Sequence, residues 1–241
     1  MKRICLLTGA SGFLGTAFIE RYSDRYEIIA VHNQNPIQFA TQDQTVVDPL
    51  APSREVPANN HAVFSLRADI SHSHGIDQLI RQVTTRFGNI DLLINGAAIR
   101  APSSLLSPGA PDLAEQCLSV NILAPLRLAV ALAQTVWALD IDANLRNNRN
   151  IVNVSSSAGL FVYPDLGQGL YATSKAALNH LTYHLACDFW EIGIRVNAVA
   201  PDSFPGRVSI DEVLDTIVRL DTTEQTGQVI PLYHEANVDR G

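Results

Sequence analysis

The chain has 241 residues, 46% of them apolar and 17% charged, which is the composition of a folded globular protein rather than of a disordered or fibrous one. Seventeen Lys and Arg stand against 24 Asp and Glu, a formal charge of −7 with no basic cluster, and this excludes nucleic acid as an expected partner. Cys5, Cys117 and Cys187 have neither disulfide nor metal-ligand spacing, the apolar run in MKRICLLTGA is too short for a secretion signal, and no apolar stretch reads as long enough to span a bilayer; residues 1–241 are therefore expected to form one cytoplasmic domain with no metal and no membrane partner.

The first apolar run, Ile4–Leu7, reads as a strand that feeds straight into TGASGFLG and then into a helix beginning near Gly12. At such a turn glycines let the backbone approach a pyrophosphate, while the helix N-terminus turns free N–H groups and the positive end of its dipole toward it. Gly9, Ser11, Gly12, Phe13, Leu14 and Gly15 are the expected contacts. A nucleotide P-loop is a poor competitor, because Thr16 rather than Lys follows Gly15. The second strand, Ile28–Val31, ends in VHNQN, where a carboxylate would bind the ribose hydroxyls of NAD and an arginine the 2′-phosphate of NADP. Neither is present. With no carboxylate to repel a phosphate, the expectation tilts slightly toward NADP(H), with His32 and Asn33 as contacts.

From Asn33 to Asn60 the prolines 36, 49, 52 and 57 exclude a long regular helix where a crossover helix would be expected. Strands follow at Val63–Leu66 and Ile90–Ile94, with a helix beginning near Gly75 between them. Long Ala- and Leu-rich helices begin near Asp112 and Gly169 on either side of a fifth strand, Ile151–Val154, and Asn144–Asn150 reads as the turn into that strand. Arg195–Ala198 and Gln228–Ile230 complete the set. Short continuously apolar runs alternating with helical segments predict an α/β fold: a Rossmann-like doubly wound parallel sheet of about seven strands with helices on both faces.

Tyr171 and Lys175 are four residues apart at the start of a long helix, so both project from one face. A phenol with an ordinary pKa of about 10 is a poor proton carrier at neutral pH, and an ammonium held close would stabilise its phenolate. Tyr171 would then give a proton to a carbonyl oxygen as hydride reaches the carbon, or take it back in the oxidative direction. Ser156, at the carboxyl end of the strand IVNV, would supply a hydroxyl to the same oxygen. SSSAG is not framed as the GxSxG of a hydrolase nucleophile, and no convincing His/Asp pair follows it.

In this order along the chain, the motifs resemble those of the short-chain dehydrogenase/reductase family: LLTGASGFLG, RADIS, DLLINGAA, SVNILAPL, IVNVSSSAG, YATSK, IRVNAVAP and TGQVI, covering roughly residues 4–201 and 226–231. The resemblance implies that Ser156 polarises the carbonyl, that Tyr171 is the acid/base, and that Lys175 holds the nicotinamide ribose as well as tuning Tyr171. Asn121 would anchor a proton-relay water. Asp69 and Ile70 would contact the adenine, Asn95, Gly96 and Ala97 would line the cofactor trough, and Val199 and Pro201 would lie near the nicotinamide. The implied substrate is a small carbonyl or alcohol compound, and the apolar helices imply a homodimer or homotetramer.

Four departures accompany the resemblance. The glycine spacing TGxxGxxG is that of the family's extended branch, NGAA replaces the usual NNAG, Asp202 follows Pro201 where the family has Gly, and residues 202–225 are a short substrate-side segment. Ile99, Ser157, Phe161, Pro164, Asp202 and Phe204 are candidates to line the substrate pocket by their nearness to the motifs. A catalytically idle nucleotide-binding sensor on the same fold is the alternative function; a lyase or epimerase is disfavoured by the small C-terminal region.

Overall fold

The computed structural model describes residues 2–37, 63–100, 104–164 and 166–233. Seven strands, β1 (Arg3–Thr8), β2 (Tyr26–His32), β3 (Val63–Arg67), β4 (Leu92–Asn95), β5 (Asn150–Val154), β6 (Arg195–Pro201) and β7 (Val229–Leu232), pair in parallel. Their order across the sheet is β3-β2-β1-β4-β5-β6-β7. The chain winds outward from β1 to β3, then returns to place β4 on the other side of β1. That reversal opens a crevice beyond the carboxyl ends of β1 and β4, where open α/β sheets bind ligands. The expected Rossmann-like sheet is therefore present, with every expected strand in it.

Helices α1 (Phe13–Tyr22), α2 (Ser73–Phe87), α3 (Ala110–Leu118), α4 (Ala124–Thr135), α5 (Ile141–Arg146), α6 (Gly169–Trp190) and α7 (Ile210–Thr222) cover the two faces. Because successive strand residues face opposite ways, each strand feeds two cores. Cys5, Leu7, Ile28, Ala30, Val152 and Val199 pack with Phe18 and Ile19 of α1 and Val213, Leu214 and Ile217 of α7. Leu6, Ile29, Ile151 and Val196 pack with Leu79 and Val83 of α2, Leu128 and Leu132 of α4 and Leu185 of α6. The proline-bearing crossover expected to lack a helix falls mostly in 38–62, outside the described residues.

Three expectations are corrected. The short substrate-side segment 202–225 is mostly α7, a core helix: Ser209 caps it by accepting the Glu212 N–H, and its apolar residues recur at helical spacing against the sheet. Only Asp202–Ser209 separate β6 from this helix. The polar run Asn144–Asn150 is half helix, because Asp140 caps α5 through the Ala143 N–H and the turn begins only at Asn147. Finally, Ala110–Leu139 form one continuous 30-residue helical stretch that is long and apolar enough to cross a bilayer. It includes α3, a π-helical turn at Ser119–Leu123 and α4, and Ala124, Leu128, Ala129, Leu132 and Trp137 bury its apolar side in the second core.

At the amino ends of the strands a polar staple closes the sheet. The Asp221 carboxylate, fully buried at the end of α7, accepts hydrogen bonds from Arg3 of β1 (2.8 and 3.1 Å), the Tyr26 hydroxyl of β2 (2.8 Å) and Asn150 of β5 (2.7 Å). Arg195 of β6 donates to the carbonyls of Leu220 and Asp221. Burial pulls the Arg195 guanidinium down to about 10, with Asp221 opposing, and burial and then Asp221 push the Cys5 thiol up.

Candidate active site

The turn after β1 occupies four residues, Gly9–Gly12, before α1 begins at Phe13. Gly9 has φ +71°, and a Cβ there would lie 2.7 Å from the Ala97 amide nitrogen. A Cβ on Gly96 would lie 2.8 Å from the Thr8 carbonyl oxygen. The two strand ends thus approach as closely as only glycine permits. Thr8, buried at the last position of β1, accepts hydrogen bonds from the Gly96 and Ala97 N–H groups (3.1 and 3.2 Å) and fixes the end of β4. Sequence reading missed this role, since a Thr closing a strand looks like ordinary β-propensity.

Beyond this pair lies a cavity of about 440 Å3 lined by Gly9, Ser11, Gly12, His32, Asn33, Asp69, Ile70, Gly96, Ala97 and Ile99, among others. The Asp69 carboxylate accepts from the Ser71 N–H and hydroxyl, and these bonds hold it below the usual carboxylate range. A glycine-floored trough at a helix N-terminus, at the point where strand order reverses, fits a dinucleotide. Of the expected contacts, Phe13, Leu14, Gly15, Asn95, Tyr171, Lys175 and Pro201 do not line it. Leu14 is buried in the first core, and a Cβ on Gly15 would strike the Gly9 carbonyl and Ala10, so it serves the turn. Phe13 leans toward Phe204, with ring centres 6.4 Å apart. Asn95 turns inward and donates to Asn153, which donates in turn to Thr182 of α6.

A second cavity of about 430 Å3 contains Ser156, Ser157, Tyr171, Pro201, Asp202 and Phe204. Ser156 ends the β5 segment and accepts the Ala158 N–H, starting a tight turn at Ser157–Gly159. A Cβ on Gly159 would lie 2.6 Å from the Lys175 carbonyl carbon, so the glycine of SSSAG lets this turn press against α6. Tyr171 and Ser156 thereby line the same cavity. Burial raises the Tyr171 pKa, and the nearby Ser156 hydroxyl and the Arg100 charge pull it back only in part.

The Lys175 Nζ donates to the Val154 carbonyl at 2.7 Å, buried, and stands 5.7 Å from the centre of the Tyr171 ring. The four-residue spacing thus brings both onto one face, and the lysine turns to β5. Burial lowers Lys175 itself to about 8. Asn121, inside the π-helical turn, accepts the Ile99 N–H (2.8 Å) and donates to the Ile99 carbonyl (3.0 Å) and the Ser174 hydroxyl (2.9 Å). Its side chain clamps the strand-to-helix segment onto α6.

The substrate candidates divide. Ser157, Asp202 and Phe204 line the second cavity, whereas Ile99 lines the first and Phe161 stacks edge-on against Tyr233. Pro164 is exposed and borders neither. Asp202 sits on the Tyr171 side, where its carboxylate accepts from the Ser203 N–H (2.7 Å) and Arg207 (3.3 Å). Arg100, Tyr163, Leu166, Gln168 and Arg207 were not foreseen; they come from loops whose direction carries no local sequence signal.

The depressed Lys175 pKa fixes a testable pH dependence. A lysine at about 8 in the folded state and near its ordinary value unfolded makes the unfolded chain bind more protons between those limits, so this residue's contribution to stability rises with pH through that window. Urea unfolding of wild type and Lys175→Met should differ by a constant amount below about pH 8, and wild type should gain on the variant from there to about pH 10. A difference that stays flat throughout would show that the buried group is not titrating.

A family model described as short chain dehydrogenase matches residues 3–210. The 2-(R)-hydroxypropyl-CoM dehydrogenase of Xanthobacter autotrophicus is 28% identical over 238 residues, spanning 95% of this chain and 83% of its own. Among solved structures, an oxidoreductase of Brucella ovis in complex with a partially ordered NAD is 30% identical, with a TM-score of 0.69 over 96% of this chain and 100% of that one. The RhlG/NADP active-site complex of Pseudomonas aeruginosa has a TM-score of 0.76 over 96% and 94% of the two chains, at 19% identity, a likeness of fold alone.

Proposed function

From the premise that the chain belongs to the short-chain dehydrogenase/reductase family, and is thus an oxidoreductase, we propose that it reduces a carbonyl to an alcohol, or the reverse, with Tyr171 as acid/base. The observation that carries this reading is that Ser156 and Tyr171 line one cavity at the carboxyl ends of the strands, with the Ser156 hydroxyl near enough to pull the Tyr171 phenol downward. Bound in the trough along Gly9, Gly12, Gly96 and Ala97, a nicotinamide dinucleotide would supply or take up the hydride. Ser156 donates to the substrate oxygen and fixes its direction. Tyr171 delivers the proton to that oxygen in reduction and receives it in oxidation. Lys175, buried under Tyr171, fixes the start of α6 through Val154 and stands ready for the nicotinamide ribose. We take residues 1–241 as one domain, with Asp202–Ser209 as its substrate-side loop, in a small homo-oligomer. Tyr183 and Trp190, both exposed on α6, support association, and light scattering is expected to return a dimer or tetramer.

The slight preference for NADP(H) gains a residue that sequence reading passed over. Arg67 ends β3 directly opposite His32 at the end of β2, and a cavity beside the trough is lined by Asn33, Arg67, His72 and His74. An exposed guanidinium at that position suits a 2′-phosphate. NADPH and NADH titrations followed by an aldehyde and ketone panel test the whole reading. NADPH is expected to bind about three- to tenfold more tightly than NADH, with the advantage lost in Arg67→Ala. Failure of both nucleotides to bind would end the proposal; equal binding would end only the preference.

A further inference from the structure

Among the described residues, the cavity around Tyr171 is cationic in a chain whose formal charge is −7: Arg100 and Arg207 line it against the carboxylate of Asp202. Asp202 is already occupied by the Ser203 N–H and by Arg207. Arg100 has no carboxylate partner among the described residues. Its backbone is nonetheless held, because the preceding residue, Ile99, is gripped at both its N–H and its carbonyl by the buried Asn121. The charge is near enough to Tyr171 to pull its phenol downward. A positioned, exposed guanidinium on the wall of a pocket, with no acid paired to it among the described residues, is the arrangement that recognises a planar anion. The rest of the wall supplies Leu166 and Phe204 for an apolar spacer, and Gln168 and Ser157 for polar contacts.

We propose that Arg100 makes this pocket a receptor for a carbonyl or hydroxy compound that also carries a carboxylate, with the carboxylate on the Arg100 guanidinium and the reacting oxygen on Ser156 and Tyr171. This rests on the hydride-transfer reading for the reacting end alone. The Arg207–Asp202 pair is the counterpart wall, and a neutral substrate would leave Arg100 unmatched.

The test uses the whole chain with NADPH and matched probes: pyruvate, acetoacetate and levulinate, each against its methyl ester. For at least one pair, kcat/KM for the acid is expected to exceed that for the ester by about tenfold to a hundredfold. The ratio should collapse toward one in Arg100→Met, chiefly through KM, and recover in part in Arg100→Lys. Arg207→Met serves as the comparison. Calorimetry of the same acids and esters on the NADP-loaded protein reads recognition without turnover. Acid-selective binding that Arg100→Met removes upholds the inference even if no probe is reduced, in which case it is the hydride-transfer reading that fails. Esters matching acids in both measurements, or a loss that follows Arg207→Met and spares Arg100→Met, overturns it.

Discussion

Replacing Tyr171 with phenylalanine is expected to lower carbonyl-dependent cofactor oxidation by about 10²- to 10⁴-fold while leaving nucleotide binding intact, the range that loss of a positioned acid/base commands. The substitution removes one oxygen from a half-buried ring and leaves its packing in place. The described acidic and basic groups nearby are already engaged: Asp202 is bonded to Ser203 and Arg207, and Lys175 donates to Val154. The raised phenol pKa adds a direction. At neutral pH Tyr171 holds its proton, which is the form that reduction consumes, so the reductive rate should be level from neutral into mildly alkaline solution. Oxidation needs the phenolate and should climb with pH over the same range. Steady-state rates in both directions across pH, for wild type and Tyr171→Phe, check both statements. A variant retaining more than about a tenth of wild-type turnover would remove Tyr171 from the chemistry.

The largest expected loss of stability lies at the other end of the strands. Asp221→Ala leaves Arg3, the Tyr26 hydroxyl and the Asn150 amide without their common acceptor in a fully buried position, and breaking a buried ionic pair in this way costs about 3–5 kcal/mol. Arg195 should survive better, because it bonds the main-chain carbonyl of Asp221 and not its side chain. Asp221→Asn keeps an acceptor for one or two of the three donors and should fall between. Urea unfolding monitored by circular dichroism measures all three proteins. A loss under about 1 kcal/mol for Asp221→Ala would mean that water replaces the staple.

The division between what could and could not be read from the residues follows physical range. Strands such as Ile4–Leu7 and Ile28–Val31 announce themselves because both faces are covered, so the run is apolar without interruption. Helix α7 carries its own signals, Ser209 three residues before Glu212 and Val213, Leu214, Ile217 and Leu220 at helical spacing. Tyr171, Lys175 and Ser156 were legible as a set, and Ser156 and Tyr171 do line one cavity. The partner of Lys175 was not legible, because the Val154 carbonyl belongs to β5, 21 residues away from this position of α6. Arg100 and Arg207 were invisible for a related reason: they flank the pocket from two loops that only the closed sheet brings together.

Trp137 and Trp190, the two tryptophans of the chain, stand in opposite environments. Trp137 is fully enclosed in the second core, its indole N–H donating to the Ile90 carbonyl at 2.9 Å, while Trp190 is 65% exposed at the end of α6. Intrinsic fluorescence from this protein is accordingly a sum of two reporters. The blue component follows collapse and unfolding of the sheet, and the red, quencher-accessible component reports on the α6 surface. If the proposed homo-oligomer forms across α6, a dilution series in the presence of acrylamide would separate dissociation from denaturation in one cuvette, without a label.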